Sequence, residues 1–274
     1  MLAATEWQGA TGEAWADEWR RTDRTLAPLN DALLARALPV DGLSILDVGC
    51  GAGATSFAFA DAAPRTQVTG LDLSDALVAA AQERIGDRNN VRFVQGDAAA
   101  SSPEGAPFDL IVSRHGVMFF DDPVAAFTHL HGLAPRGRLL FSCFRAQVEN
   151  EWMAAMRGVI ERHAPEALAL PPPAAGPFAF AEPGRVEGIL RDAGYAPPVL
   201  EPLDFDFLVG AGDDPVADAI AYFKRIGPMA RLAAAMDEAA QAAFLADLTK
   251  VVAGHRRHDG IVFRAAAWIV SSRA

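Results

Sequence analysis

A short apolar run that stops in alternating glycines, Ile45-Leu46-Asp47-Val48-Gly49-Cys50-Gly51-Ala52-Gly53, constrains this chain more than any other feature. Such a run is the pattern of a buried parallel strand feeding a tight turn. A parallel strand reaches its neighbour only through a crossover, so further strands separated by helices must follow. The spacing predicts them. Gln67 to Leu73 is a second strand, Ser74 to Arg84 a helix opened by a Ser/Asp cap, and Val91 to Gln95 a third strand. Phe108 to Ser113 is a fourth strand, Asp122 to Leu133 a helix with Pro in its first turn, and Arg138 to Phe144 a fifth strand. Right-handed crossovers then give a doubly wound, mostly parallel α/β sheet with helices on both faces.

The rest of the chain is read as additions to that sheet within one domain, residues 1–274. Trp7, Trp15 and Trp19, followed by a leucine stripe that ends at Pro39, predict a helical cap over residues 1–40. Residues 145–183 and 211–258 are expected to be lid insertions. The first contains a helix from Glu151 to His163 and a loop at Pro171 to Pro173, continuing through Gly176 and Pro177. A helix from Pro183 to Ala193 precedes a strand at Val199 to Val209, in which Leu203, Phe205 and Phe207 alternate with Asp204 and Asp206. Two or three alanine-rich helices fill Pro215 to Ala253. The final strand, Ile261 to Ser271, needs a partner, and Val199 to Val209 is its natural antiparallel neighbour.

A formal charge of -11 repels a phosphate backbone or an anionic membrane face, so no nucleic acid or membrane partner is expected. The two cysteines, Cys50 and Cys143, lie in apolar stretches without metal or redox spacing, which suits a reducing cytoplasm. Neither a targeting segment nor a run long enough to span a bilayer is visible.

Glycines at a strand end let backbone amides approach a ligand, and the helix start behind them carries partial positive charge. Asp72 ends the second strand about twenty residues on, where an acid accepts both hydroxyls of a ribose; capping of the helix at Ser74 is its plainer role. Asp97, after Gly96, is placed to receive an adenine amino group or to cap the loop that follows. The turn reads G-x-G-x-G with Asp47 two residues ahead, whereas dinucleotide turns read G-x-G-x-x-G, so a nicotinamide cofactor fits poorly.

The strings ILDVGCGAGATS, GLDLS at Gly70 to Ser74, QGDA at Gln95 to Ala98 and FDLIVSRHGVMFFDDP at Phe108 to Pro123 resemble class I S-adenosylmethionine-dependent methyltransferases. The likeness is greatest to the small-molecule branch that includes ubiquinone and menaquinone biosynthesis methyltransferases. It implies a seven-stranded sheet of order 3-2-1-4-5-7-6 with the last strand antiparallel, and S-adenosylmethionine as cofactor. It also implies that Gly49, Gly51 and Gly53 line the methionine part, with Asp47 near its amino group through water. Asp72 would hold the ribose diol, Leu73 the adenine face, Asp97 its amino group and the Ala98 amide a ring nitrogen. Ser113 would offer its backbone carbonyl to the methionine amino group.

A sulfonium methyl is already an activated electrophile, so the chain's main tasks are alignment of the acceptor and exclusion of water. A base is needed only where the acceptor must lose a proton. His115, after the fourth strand and with an ordinary pKa near 6.5, is the candidate catalytic base; a packed or capping histidine is the alternative. Arg114 is placed to anchor an acceptor carboxylate or to form a structural ion pair. Trp15, Trp19, Trp152 and Phe178 are the expected substrate-binding walls, with Met153, Met156, Phe180, Tyr222 and Met229 as further candidates or plain core. No metal is expected, because His163, His255 and His258 form no coherent ligand set. The expected activity is methyl transfer to an oxygen, nitrogen or carbon of a small, partly apolar metabolite, by a monomer or homodimer. A catalytically silent S-adenosylmethionine-binding interaction module is the alternative.

Overall fold

The computed structural model describes residues 4–168 and 175–274. Seven strands form its sheet: β1 (Ser44–Val48), β2 (Gln67–Asp72), β3 (Val91–Gln95), β4 (Leu110–Arg114), β5 (Arg138–Phe144), β6 (Val199–Gly210) and β7 (Gly260–Arg273). Their order is β3-β2-β1-β4-β5-β7-β6, and the two-residue strand Arg256–Arg257 doubles back on β7 off this path. Pairing is parallel from β3 to β5, while β7 runs antiparallel to both β5 and β6. The expected topology and the predicted β6–β7 partnership are therefore observed. Ile45, Leu46, Leu110, Ile111 and Phe141 are buried in the central strands, as the apolar runs require.

Cap chemistry fixes where the helices start. Ser74 accepts from the Leu77 amide at 3.4 Å to open α5 (Asp75–Glu83), and Asp122 accepts from Ala125 at 3.0 Å, with Pro123 next, to open α6 (Pro123–Leu133). The remaining helices are α1 (Ala4–Trp7), α2 (Ala10–Asp17), α3 (Trp19–Ala37), α4 (Ala54–Ala62), α7 (Glu151–His163), α8 (Pro183–Asp192), α9 (Pro215–Arg225), α10 (Gly227–Ala234) and α11 (Glu238–Ala253). Numbering here follows chain order. The fourth strand starts at Leu110 rather than Phe108, because the Phe108 amide donates to Leu133 at the end of α6 and lies outside the ladder.

Helix α3 crosses to pack on β6 and α4, which brings the N-terminal segment to the carboxyl ends of the strands, and α11 packs against both α7 and α9. No helix among the described residues is long and apolar enough to cross a membrane. The loop expected at Pro171 to Pro173 lies outside the described residues.

Candidate functional site

The strand order reverses between β1 and β4, and a cavity of about 440 Å³ opens at the carboxyl ends of these strands. A crevice at such a switch point is where open α/β sheets bind ligands. One side is the glycine turn. Gly49 has φ +65°, and a Cβ there would stand 2.8 Å from the Gly116 Cα, so the turn and the segment after β4 touch through glycine alone. Gly51 has φ +55° with open space where its Cβ would be, so its backbone faces the cavity bare.

Asp72 braces that turn. It accepts from the Gly51 amide at 2.8 Å and, through its other oxygen, from the Ser74 amide at 2.9 Å. Burial raises its pKa, against those amide bonds. Each carboxylate oxygen keeps a lone pair beyond these bonds, and Asp72 stands on the cavity wall. Leu73, Asp97 and Ala98 line the same end, with Asp97 also accepting from the Ala99 amide at 2.8 Å.

Three other candidates stand behind the wall. Gly53, φ +90°, opens α4 and packs its backbone on Phe57 and Phe93. Ser113 is fully buried; its Oγ donates to the Val48 carbonyl at 2.7 Å and accepts from the Gly116 and Val117 amides, stitching β4 to β1. Asp47 is also fully buried and accepts a 2.6 Å hydrogen bond from Ser56, but its Oδ1 has no partner among the described residues. Burial pushes its pKa up to about 6.

The opposite side is built at the end of β4. Arg114 places one guanidinium nitrogen 3.5 Å from Asp23 and lines the cavity, combining an ion pair with a wall position. His115 has φ +65°, a left-handed conformation uncommon for a residue other than glycine. Its Nδ1 lies 2.8 Å from Ser142 Oγ, its ring packs on Phe144 at 4.2 Å, and its Nε2 has no partner among the described residues. Burial pushes its pKa down to about 3, with neighbouring Arg114 acting in the same direction. The ordinary value expected from sequence is thus corrected: this imidazole is neutral at any physiological pH.

Between the two sides lies an aromatic chamber. Trp15, Trp19, Trp152, Tyr222 and Met229 line it. Phe178 instead forms a layer behind, stacked on Trp152 at 5.8 Å, while Met156 and Phe180 are core and Met153 packs against it. Sequence reading missed Asp23, Phe119, Phe144, Phe207 and Phe223 as wall residues. The alternation along β6 marks Phe207 as inward-facing, but nothing local tells a core position from a cavity wall. Trp7, read only as part of the helical stripe, also reaches the wall. His163 pairs with Asp247 at 3.0 Å, and His255 Nδ1 bonds the Val251 carbonyl. No group of three metal-binding side chains occurs among the described residues.

The geometry fits S-adenosylmethionine: a backbone ridge without side chain at Gly51, an acid with spare lone pairs at Asp72, and an apolar ledge at Leu73 and Ala98. Comparison with known proteins agrees. Residues 45–137 match the family described as methyltransferase domain. A 102-residue stretch is 36% identical to a malonyl-[acyl-carrier protein] O-methyltransferase 1 of Ilyobacter polytropus; it covers 37% of this chain and 38% of that protein, so well under half of the relative is spanned. The fold is similar to magnesium protoporphyrin IX methyltransferase from Synechocystis PCC 6803, solved with bound SAH, at TM-score 0.56 and 16% identity over 100% of this chain and 99% of that one. It is also similar to Haemonchus contortus phosphoethanolamine N-methyltransferase 2, in complex with S-adenosyl-L-methionine, at TM-score 0.56 and 18% identity over 99% of this chain and 59% of that one. Residues 45–137 thus match the methyltransferase-domain family, and the fold of the whole chain is similar to that of these solved methyltransferases.

Proposed function

We propose that this chain transfers a methyl group from S-adenosylmethionine to a small, partly apolar metabolite. The observation that carries the reading is that one cavity joins two unlike ends, a glycine-and-acid end at Gly51 and Asp72 and an aromatic end under Trp15, Trp19 and Trp152. When bound, the cofactor supplies a methyl on a sulfonium, already activated toward a nucleophile. The chain's residues then have to hold and orient. Asp72 grips the ribose diol while the Gly51 amide, tied to it, keeps the turn rigid; Leu73, Asp97 and Ala98 surround the base. Gly49 lines the cavity beside Gly51, and Asp47, Gly53 and Ser113 act one layer out, shaping the turn and the floor between β1 and β4. The aromatic walls exclude water from the acceptor, and α7 with α9–α11 serve as the lid.

The alternative of a silent binding module requires a blocked acceptor chamber, and the open aromatic end weighs against it. Calorimetry with S-adenosylmethionine, S-adenosylhomocysteine and NAD tests the cofactor: binding of the first two and not the third is expected. Incubation with methyl-labelled cofactor and a metabolite extract then tests transfer. Tight cofactor binding with no labelled product from any extract favours the silent module.

A further inference from the structure

Gly12 stands inside α2, where alanine would be the better helix former. What it touches explains its place. A Cβ there would lie 2.2 Å from Ser74 Oγ, so the backbone of α2 rests directly on the residue that opens α5. Ser74 in turn donates its amide to Asp72 at 2.9 Å. The same segment also reaches the far side of the cavity: Trp7 meets Phe119, after β4, edge-on at 5.1 Å and packs on Trp15 at 5.7 Å. In the sheet β1 lies between β2 and β4, so α1 and α2 run from Ser74 to Phe119 across the carboxyl end of β1 and its glycine turn. Trp7 and Trp15 both line the cavity.

This stretch of wall is held loosely. Gly12 is the one buried residue of α2, whereas α3 buries Leu26, Leu29 and Leu33, and α7 buries Trp152, Met156 and Ile160. Among the described residues, the side-chain polar ties of the N-terminal segment begin only at Asp17. Asp17 and Glu18 pair with Arg225 of α9, Glu18 also pairs with Arg21, and Asp23 pairs with Arg84. The helix breaks at the same point, because Glu18, with φ -93° and ψ 13°, separates α2 from α3. A segment with few buried contacts opens at less cost than the core it is attached to, and a residue at an element's end is where a hinge absorbs the backbone change.

We propose that residues 4–17 are a hatch over the cofactor end, hinged at Glu18, which swings off Ser74 to admit and release the nucleoside and shuts on it with Trp7 and Trp15. This rests on the methyltransferase reading for the identity of the ligand, and the hatch is separate from the acceptor-side lid of α7 and α9–α11. Helix α3 is the jamb, fastened by Asp23 to Arg84 and by Arg84 to the Ala52 carbonyl of the glycine turn. A full seat requires that position 12 carry no side chain. Ligand touching Trp7 and Trp15 favours the shut form, and the shut form slows the ligand's escape, one coupling read from both sides.

Hydrogen exchange of the full chain, read by mass spectrometry, tests the hatch first without any ligand. In the free protein the amides of α2 are expected to exchange about tenfold or more faster than those of α3; equal protection would make the two helices one rigid body and overturn the hatch. Saturating S-adenosylhomocysteine, its binding recorded by calorimetry, is expected to slow exchange in α2 about tenfold. Binding without slowing overturns the hatch and leaves the cofactor reading intact, whereas no binding at all overturns both. Gly12→Ala tests the seat, since helix propensity alone would favour the change. S-adenosylhomocysteine is expected to leave this variant about tenfold faster in stopped-flow displacement, with the urea midpoint unchanged. Glu13→Ala, on the exposed face of α2, is the control and is expected to match the wild type. Wild-type release from Gly12→Ala, or a fall in its urea midpoint that places α2 within the cooperative core, overturns the proposal.

Discussion

Asp72 braces the glycine turn and, in the proposed function, also holds the ribose, so one substitution reaches both. Replacing it with Ala removes the acceptor of the Gly51 and Ser74 amides as well as the proposed ribose contact. Loss of hydrogen bonds to a charged group predicts S-adenosylmethionine binding weaker by about 1.5–3 kcal/mol, read by calorimetry. An unchanged dissociation constant in the folded variant counts against the ribose assignment. His115 makes a prediction in pH. Its folded pKa of about 3 lies below the ordinary 6.5 of the unfolded chain, so between these values the unfolded state binds a proton that the folded state refuses. Stability from this group is therefore intact above pH 6.5 and lost as pH falls toward 3. Asp47, shifted up to about 6, acts in the opposite sense below pH 6 and is common to both proteins compared. His115→Asn tolerates the left-handed backbone and removes the titration. Urea unfolding at pH 7 and pH 5 is expected to show the wild type losing about 2 kcal/mol more than the variant, from about 1.4 kcal/mol per pH unit. Equal losses would mean that the imidazole is not held neutral.

The glycine turn makes the parallel prediction for an element. Gly49→Ala and Gly51→Ala both place a Cβ on a left-handed residue, costing about 1–2 kcal/mol in strain. Their surroundings differ. At Gly49 the added carbon meets the Gly116 backbone at 2.8 Å and forces β1 and β4 apart, so a lowered Tm is expected together with lost cofactor affinity. At Gly51 it enters open space, so folding should be nearly preserved while affinity falls, because the carbon occupies the ligand's side of the ridge. A Gly51→Ala protein that binds normally would remove the turn from the site. Elements like this were legible because their signals are local: alternating glycines, capping residues at Ser74 and Asp122, and apolar runs that name the strands. The antiparallel β6–β7 edge was legible for the same reason, from two long runs lacking other partners. Illegible were contacts that join distant segments. Ser142 against His115 spans 27 residues, and neither neighbourhood announces it. The depressed pKa of His115 arises from burial by Phe144 and other side chains brought in by folding, so the ordinary value was the only one the sequence could supply.

At the scale of the molecule, the cavity is completed by segments far apart in the chain, and a few arginines fasten them. Arg84, on the turn after α5, reaches the Ala52 carbonyl in the glycine turn, pairs with Asp23 of α3 at 2.6 Å and lies over the Trp19 ring at 3.5 Å. Arg21 and Arg24 of α3 both pair with Asp218 of α9, and Arg225 pairs with Asp17 and Glu18. The N-terminal helices that supply Trp7, Trp15 and Trp19 to the wall are thus held to the cofactor end by Arg84 and to the lid helices by the Asp218 cluster. Arg84 and Asp23 are about one-fifth exposed, so their pair is only partly screened and, with the stacked indole, is worth more than a surface ion pair. Arg84→Met keeps the aliphatic stem and removes every polar contact. In stopped-flow displacement, S-adenosylhomocysteine should leave this variant about three- to tenfold faster, the change that about 0.7–1.4 kcal/mol produces. Added salt should speed release from the wild type and leave the variant nearly flat, because the screened interaction is already gone. Identical release rates at both salt levels would show that the cap does not govern access, and that the walls around Trp15 and Trp19 open by some route that leaves Arg84 seated.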